Sequence, residues 1–175
     1  MQIVHNKESL INKIGEYKSK GNKITLIPTM GNLHQGHQVL FSKAPHNTIK
    51  VVTIYVNPLQ FDRSDDYQNY PRSLQTDLEV CMQNNITLVY VPKGDISNEI
   101  MIEKSIDLPK FTRYLCGQKR EGHFLGVYKI VKYLFSIVNP DFACFGKKDF
   151  QQLLLIKYIA NTYFPGTNII DVDTV

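Results

Sequence analysis

Short runs rich in Val, Ile and Leu recur along this chain, each set off from the next by a segment of helical length. That alternation constrains the fold more than any other feature. Residues 23–28, 49–56, 86–91, 142–145 and 168–172 read as strands. Between them, Leu10, Ile11, Ile14 and Tyr17 share one face of a helix over 7–20, which Gly21-Asn22 stops. Residues 73–84 suit a second helix. Val127, Ile130, Val131, Leu134 and Val138 mark a third over 125–138. Residues 149–162 are apolar almost all round, as expected of a helix that is buried or faces a partner. The region 93–123 is weakly periodic and reads as irregular connection with one short strand at 105–108. Strands alternating with helices imply a parallel sheet covered on both faces. Ligands of such sheets sit beyond the carboxyl ends of the strands. Here that means just after Ile27, Val56, Val91, Phe145 and Val172.

The chain has 175 residues, which suits one domain with a real core. Its 20 Lys and Arg against 16 Asp and Glu give a net charge of +4, with no basic block, so a nucleic-acid partner is not expected. Apolar residues are spread along the whole length, which excludes disorder. No run approaches the roughly 20 apolar residues of a membrane span. The first residues lack the charged leader and apolar run of a secretory signal. Cys81, Cys116 and Cys144 are far apart and odd in number, and read as reduced thiols of a cytoplasmic protein rather than a zinc site.

Four polar clusters stand at strand ends. The first strand runs into Pro28-Thr29-Met30-Gly31-Asn32-Leu33-His34-Gln35-Gly36-His37. Two histidines at the mouth of a helix suit phosphate, because the helix offers unpaired N–H groups and imidazoles add donors. Gly31 and Gly36 let a ligand approach the backbone. Metal binding by the pair lacks an obvious third ligand. The second strand ends in Asn57-Pro58-Leu59-Gln60, whose amides can bind a hydroxyl or carboxylate, or serve turn chemistry alone. Arg120, in Arg120-Glu121-Gly122-His123-Phe124, could hold an anion or be a surface arginine. Gly146-Lys147-Lys148-Asp149 opens the last long helix and resembles a phosphate cradle, with Asp149 also suited to capping. Gln152 follows one helical turn on.

These segments together resemble the pantothenate synthetase (pantoate–β-alanine ligase) family of the H-I-G-H nucleotidylyltransferase superfamily. The matching stretches are PTMGNLHQGH at 28–37, VNPLQF at 56–61, DYQNYPRSLQTDL at 66–78, LCGQKREGHFLGV at 115–127 and PDFACFGKKDFQQL at 140–153. They cover nearly the whole chain in the family's order.

The resemblance implies an α/β, Rossmann-like doubly wound parallel sheet with helices on both faces. It implies an AMP-forming ligase of pantothenate and coenzyme A biosynthesis that condenses pantoate with β-alanine through a pantoyl adenylate, using ATP and Mg²⁺. Carried over by motif, Met30, Gly31, Asn32, Leu33, His34, Gln35, Gly36 and His37 would contact ATP, as would Gly146, Lys147, Lys148, Asp149 and Val175. His37, His34 and Lys148 would be catalytic. Gln60, Gln152, Asn57 and Arg120 would hold pantoate or β-alanine. The Mg²⁺ would ride on the ATP phosphates, with Asp149 a candidate contact and no direct protein ligation otherwise. The resemblance also implies a homodimer.

Three features depart from the family pattern. Arg120-Glu121-Gly122-His123-Phe124 replaces R-P-G-H-F, Gly146-Lys147-Lys148-Asp149 replaces G-E-K-D, and the stretch around 93–110 is short. Family members continue beyond Val175 into a serine- and arginine-containing phosphate motif and a C-terminal lid domain. The expectation is therefore one domain over 1–175, without that lid, keeping the pantoate pocket and half the ATP site, with reduced or no turnover. Another adenylyltransferase of the superfamily, or a non-catalytic binding or dimerisation module, are the competing readings.

Overall fold

The computed structural model describes residues 1–100 and 106–173. Six parallel strands form a single sheet: β1 (Gln2–Val4), β2 (Lys23–Thr29), β3 (Thr48–Ile54), β4 (Leu88–Tyr90), β5 (Phe142–Gly146) and β6 (Asn168–Val172), in spatial order β1-β4-β3-β2-β5-β6. The order reverses between β2 and β5, because β2 is followed by β3 on one side while β5 and β6 continue on the other. The fold is the α/β, Rossmann-like doubly wound sheet expected.

Side-chain alternation assigns the two layers. Ile24 and Leu26 of β2, Leu88 and Tyr90 of β4, and Ala143 and Phe145 of β5 pack into one core. Helices α1 (Lys7–Ser19), α7 (His123–Val138) and α8 (Phe150–Tyr163) cover that side. Ile27, Val52, Val89 and Cys144 point to the other face, against α2 (Gln35–Lys43) and α4 (Leu74–Gln83) through Phe41 and Cys81. Leu26, Val51 and Phe135 are 0% exposed, and each such side chain contributes about 1.5–3 kcal/mol of burial free energy. Asp141 locks the entry to the crevice strands: its carboxylate accepts from Ile24 N–H at 2.8 Å and its own N–H donates to Ile24 O at 3.0 Å.

The structure differs from the sequence expectation at several elements. β1 was not foreseen, because three residues at an edge carry no readable alternation. The strand expected at 105–108 is not found: residues 106–108 have no regular structure, although Ile106 and Leu108 pack on the core, and residue 105 lies outside the described residues. The 93–123 region instead holds α5 (Ser97–Ile100), a 3₁₀ turn at Lys110–Arg113 and α6 (Cys116–Lys119). A further short helix, α3 (Ser64–Gln68), follows β3. Helix α7 begins two residues earlier than read, with Gly122 at φ 77° as its N-cap. No helix among the described residues is long and apolar enough to cross a membrane.

Candidate active site

The carboxyl ends of β2, β3 and β5 open into a cavity of about 320 Å³ at the point where the strand order reverses. Thr29 and Met30 line it from β2, Thr53 and Tyr55 from β3, and Phe145 from β5. Val127, Ile130, Val131 and Leu134 of α7, with Ile156 of α8, make an apolar wall. The polar side is built from His37, Asn57, Gln60, Arg120, His123, Asp149 and Gln152.

The helix mouth after β2 sets the chemistry of the histidines. His34 is the N-cap of α2, and its Nδ1 accepts the Gly36 N–H at 3.1 Å. His37 returns the contact: its Nδ1 accepts the His34 N–H at 3.3 Å. This is a capping box made of two imidazoles. Because Nδ1 accepts in both rings, the hydrogen-bond network assigns the proton of each neutral ring to Nε2. Burial pushes the His37 pKa down to about 4, and the neighbouring His34 and Lys148 push the same way against the pull of Asp77. His37 is therefore a neutral Nε2–H donor at neutral pH, not a cation.

The turn after β3 is fixed by Asn57, which is 1% exposed. Its Oδ1 accepts from Leu59 N–H at 3.2 Å, and its Nδ2 donates to Gly126 O at 3.1 Å and to Gln60 Oε1 at 3.3 Å. Both ends of the Asn57 amide thus serve the fold, while Gln60 stands at the cavity and donates from Nε2 to Met30 Sδ at 3.0 Å. Gly126 lets α7 come this close: a Cβ there would lie 2.1 Å from Leu59 O.

His123 ties the two sides together. Its Nδ1 donates to Gln60 O at 2.8 Å, and its Nε2 lies 3.4 Å from Arg120 Nη1, where it accepts. Arg120 also approaches Asp62 at 4.0 Å. Burial lowers the His123 pKa, with Arg120 acting in the same direction and the Gln60 carbonyl opposing.

Not every sequence candidate reaches the cavity wall. Met30, His37, Asn57, Gln60, Arg120, Asp149 and Gln152 do. Asn32, Leu33, His34, Gln35 and Gly36 form the adjoining loop and helix start, with Gly31 buried beneath them. Gly146 ends β5. Lys147 turns to Asp173, at 2.7 Å, whereas Lys148 is exposed and close enough to His37 to act on its charge. Val175 lies outside the described residues. Among the described residues, no group of three or more His, Cys, Asp or Glu is arranged to hold a metal ion.

A family model described as pantoate-beta-alanine ligase matches residues 2–175. The chain belongs to the pantoate–β-alanine ligase family. It is 43% identical over 178 residues to the pantothenate synthetase of Vibrio vulnificus strain YJ016, covering 100% of this chain and 59% of that protein. It is 44% identical over 166 residues to that of Aliivibrio fischeri, covering 93% and 57%. Among solved structures, the pantoate–β-alanine ligase of Francisella tularensis, complexed with beta-gamma ATP and β-alanine, superimposes with a TM-score of 0.90 at 34% identity. That match covers 100% of this chain and 67% of the other. The chain thus spans a little under three fifths of the curated relatives named here.

Within this cavity, sequence reasoning missed His123, Thr29, Thr53, Tyr55, Tyr70 and the role of the α7 wall. His123 stood in a segment already singled out for Arg120, but a histidine between glycine and phenylalanine carries no signal of its own. The α7 residues were recognised as an apolar stripe. A stripe that packs a core and one that lines a pocket have the same spacing.

Proposed function

We propose that this chain supplies the pantoate pocket and one side of the nucleotide site of an ATP-dependent ligase that joins pantoate to β-alanine. The observation that carries the reading is one cavity lined together by Gln60, Gln152, Arg120 and His37 beside an apolar wall. Pantoate has a carboxylate, two hydroxyls and a gem-dimethyl carbon. The wall of Val127, Ile130, Val131, Leu134 and Ile156 suits the dimethyl group, and the two glutamines suit the hydroxyls without adding charge.

In this reading MgATP lies along the loop from Met30 to His37 and across Gly146–Asp149, its metal held by the triphosphate. The pantoate carboxylate attacks the α-phosphorus, the bond to the bridging oxygen breaks, and pyrophosphate leaves as pantoyl adenylate forms. The β-alanine amine then attacks the acyl carbon, losing a proton, and AMP departs. The task is to set two anions against each other and offset their repulsion. Neutral His37 donates a hydrogen bond to the phosphoryl oxygens as charge grows there, with the His34 ring beside it. Exposed Lys148, close enough to act on His37, supplies positive charge. Dimerisation, a cytoplasmic location and the single-domain reading of 1–175, with the rest of the family's length closing over ATP, belong to the same proposal. Exposed Phe150 and Leu154 on α8 support a partner surface.

Calorimetric titration tests it. Pantoate should bind, and a phosphorylated substrate such as phosphopantetheine or nicotinate mononucleotide should not. The reverse preference overturns the ligase reading in favour of another adenylyltransferase.

A further inference from the structure

We infer that Asp77 is a positioning residue that holds the nucleotide loop in its binding shape from beneath, an inference that rests on the functional reading above. Asp77 lies in the first turn of α4, away from the cavity, and is 1% exposed. A carboxylate so buried needs donors around it. Its donors come chiefly from the loop: Oδ2 accepts Asn32 N–H at 3.0 Å and Oδ1 accepts Leu33 N–H at 2.7 Å. Ser73 Oγ donates to Oδ1 at 3.3 Å and steadies the carboxylate from its own helix.

Two successive backbone amides on two oxygens of one carboxylate fix the peptide plane between Asn32 and Leu33 as well as its position. The loop must press close for this. Gly31 has φ +82°, and a Cβ on it would stand 2.8 Å from Asp77 Oδ2. Asn32 is left-handed as well, at φ 51°. Glycine takes that conformation freely, whereas Asn32 adopts it at a cost that the Asp77 anchor helps to offset. The loop is therefore held at both ends, by Asp77 at residues 32–33 and by the imidazole capping box at residues 34–37. A loop fixed before ATP arrives loses less freedom on binding it. Because the carboxylate is buried and turned to N–H donors, it holds the loop without presenting a bare negative charge to phosphate.

Amide hydrogen exchange and calorimetry on the whole chain test this. In the unmodified protein without nucleotide, the Asn32 and Leu33 amides must exchange more slowly than that of exposed Gln35, and equal rates overturn the inference without any variant. Asp77→Asn keeps the shape but places an amide NH₂ against a backbone N–H. It should speed exchange at Asn32 and Leu33 by at least about ten-fold and weaken MgATP binding by about ten-fold, while pantoate affinity holds. Unchanged exchange, or faster exchange with unchanged MgATP affinity, or equal loss of both ligands, overturns it. The amides of Leu26 and Val52 report whether the variant remains folded, and if they too lose protection the unmodified protein decides. A chain that binds no MgATP sinks the functional reading alone, since the exchange comparison still reads Asp77's hold on the loop.

Discussion

His34 and His37 face each other across the first turn of α2 with ring centroids 4.3 Å apart, and each accepts a backbone N–H at Nδ1. Protonating either ring at Nδ1 breaks the cap and places a cation beside its neighbour. The His37 pKa is accordingly lowered from 6.5 to about 4, chiefly by burial. Between those two values the unfolded chain binds more protons than the folded one, so stability rises with pH there. The stabilisation carried by neutral His37 is complete above the unfolded value and is lost as pH falls through the folded one. His37→Gln should flatten the fall in urea midpoint measured between about pH 7 and about pH 4. An unchanged slope, or an imidazole NMR titration centred at the ordinary value, contradicts this assignment.

Gly126→Ala should be the most damaging single-methyl change in the site. The added Cβ would meet Leu59 O at 2.1 Å, Leu59 C at 2.3 Å and Gln60 N at 2.5 Å, all backbone atoms that cannot rotate away. Overpacking of this kind costs about 1–3 kcal/mol. The displaced turn carries Gln60, so pantoate affinity should fall along with the denaturation midpoint. A variant with wild-type stability and affinity would mean that α7 and the 57–60 turn can separate freely.

Asn57 and Gln152 look alike in the sequence, as uncharged amides near strand ends, yet they should fail in different ways. Asn57→Ala strands the Leu59 N–H, at about 1–3 kcal/mol for an unsatisfied group, and removes the tie from the 57–60 turn to the Gly126 carbonyl of α7. Gln152 lines the cavity from the first turn of α8. Gln152→Ala should leave the urea midpoint nearly unmoved while weakening pantoate, and Asn57→Ala should shift the midpoint by itself. Matching effects on stability would refute the division.

The contrast shows what the sequence could carry. Strand–helix alternation placed three clusters at the ends of parallel strands, and the structure joins those ends, of β2, β3 and β5, in one cavity that Arg120 reaches from the turn before α7. Residue type and position were legible, because β-branched runs and helical spacing are local properties. Which amide faces a ligand and which ties down a turn was not, because Asn57 acquires its role from Gly126, 69 residues away. Lys147 and Lys148 divide for the same reason, through a distant Asp173. The buried Asp77 sat unremarked in an otherwise polar stretch. Nothing local distinguishes a carboxylate that holds a loop from one that faces water.

His123 gives the sharpest test of how the pocket is wired. Its ring donates to Gln60 O at 2.8 Å and accepts from Arg120 Nη1 at 3.4 Å, so one neutral imidazole orients both an amide and a guanidinium at the cavity. His123→Phe keeps an aromatic ring in a site that is 6% exposed but removes both hydrogen bonds. The Gln60 carbonyl then loses a donor in a buried place, and Arg120 keeps only its 4.0 Å approach to Asp62. Pantoate affinity should drop by about ten-fold, the size expected for one charged hydrogen bond misplaced. MgATP affinity should hold, because this ring's hydrogen bonds go to Gln60 and Arg120 and not to the loop at residues 31–37. In the unmodified protein, burial lowers the His123 pKa from its ordinary value, so the ring stays neutral above neutrality. Pantoate binding should therefore stay level from about pH 8 to about pH 7. A fall across that interval would place a charging group at the pocket that this arrangement does not contain, and loss of MgATP with pantoate would show that the two sides share more than the His123 bridge.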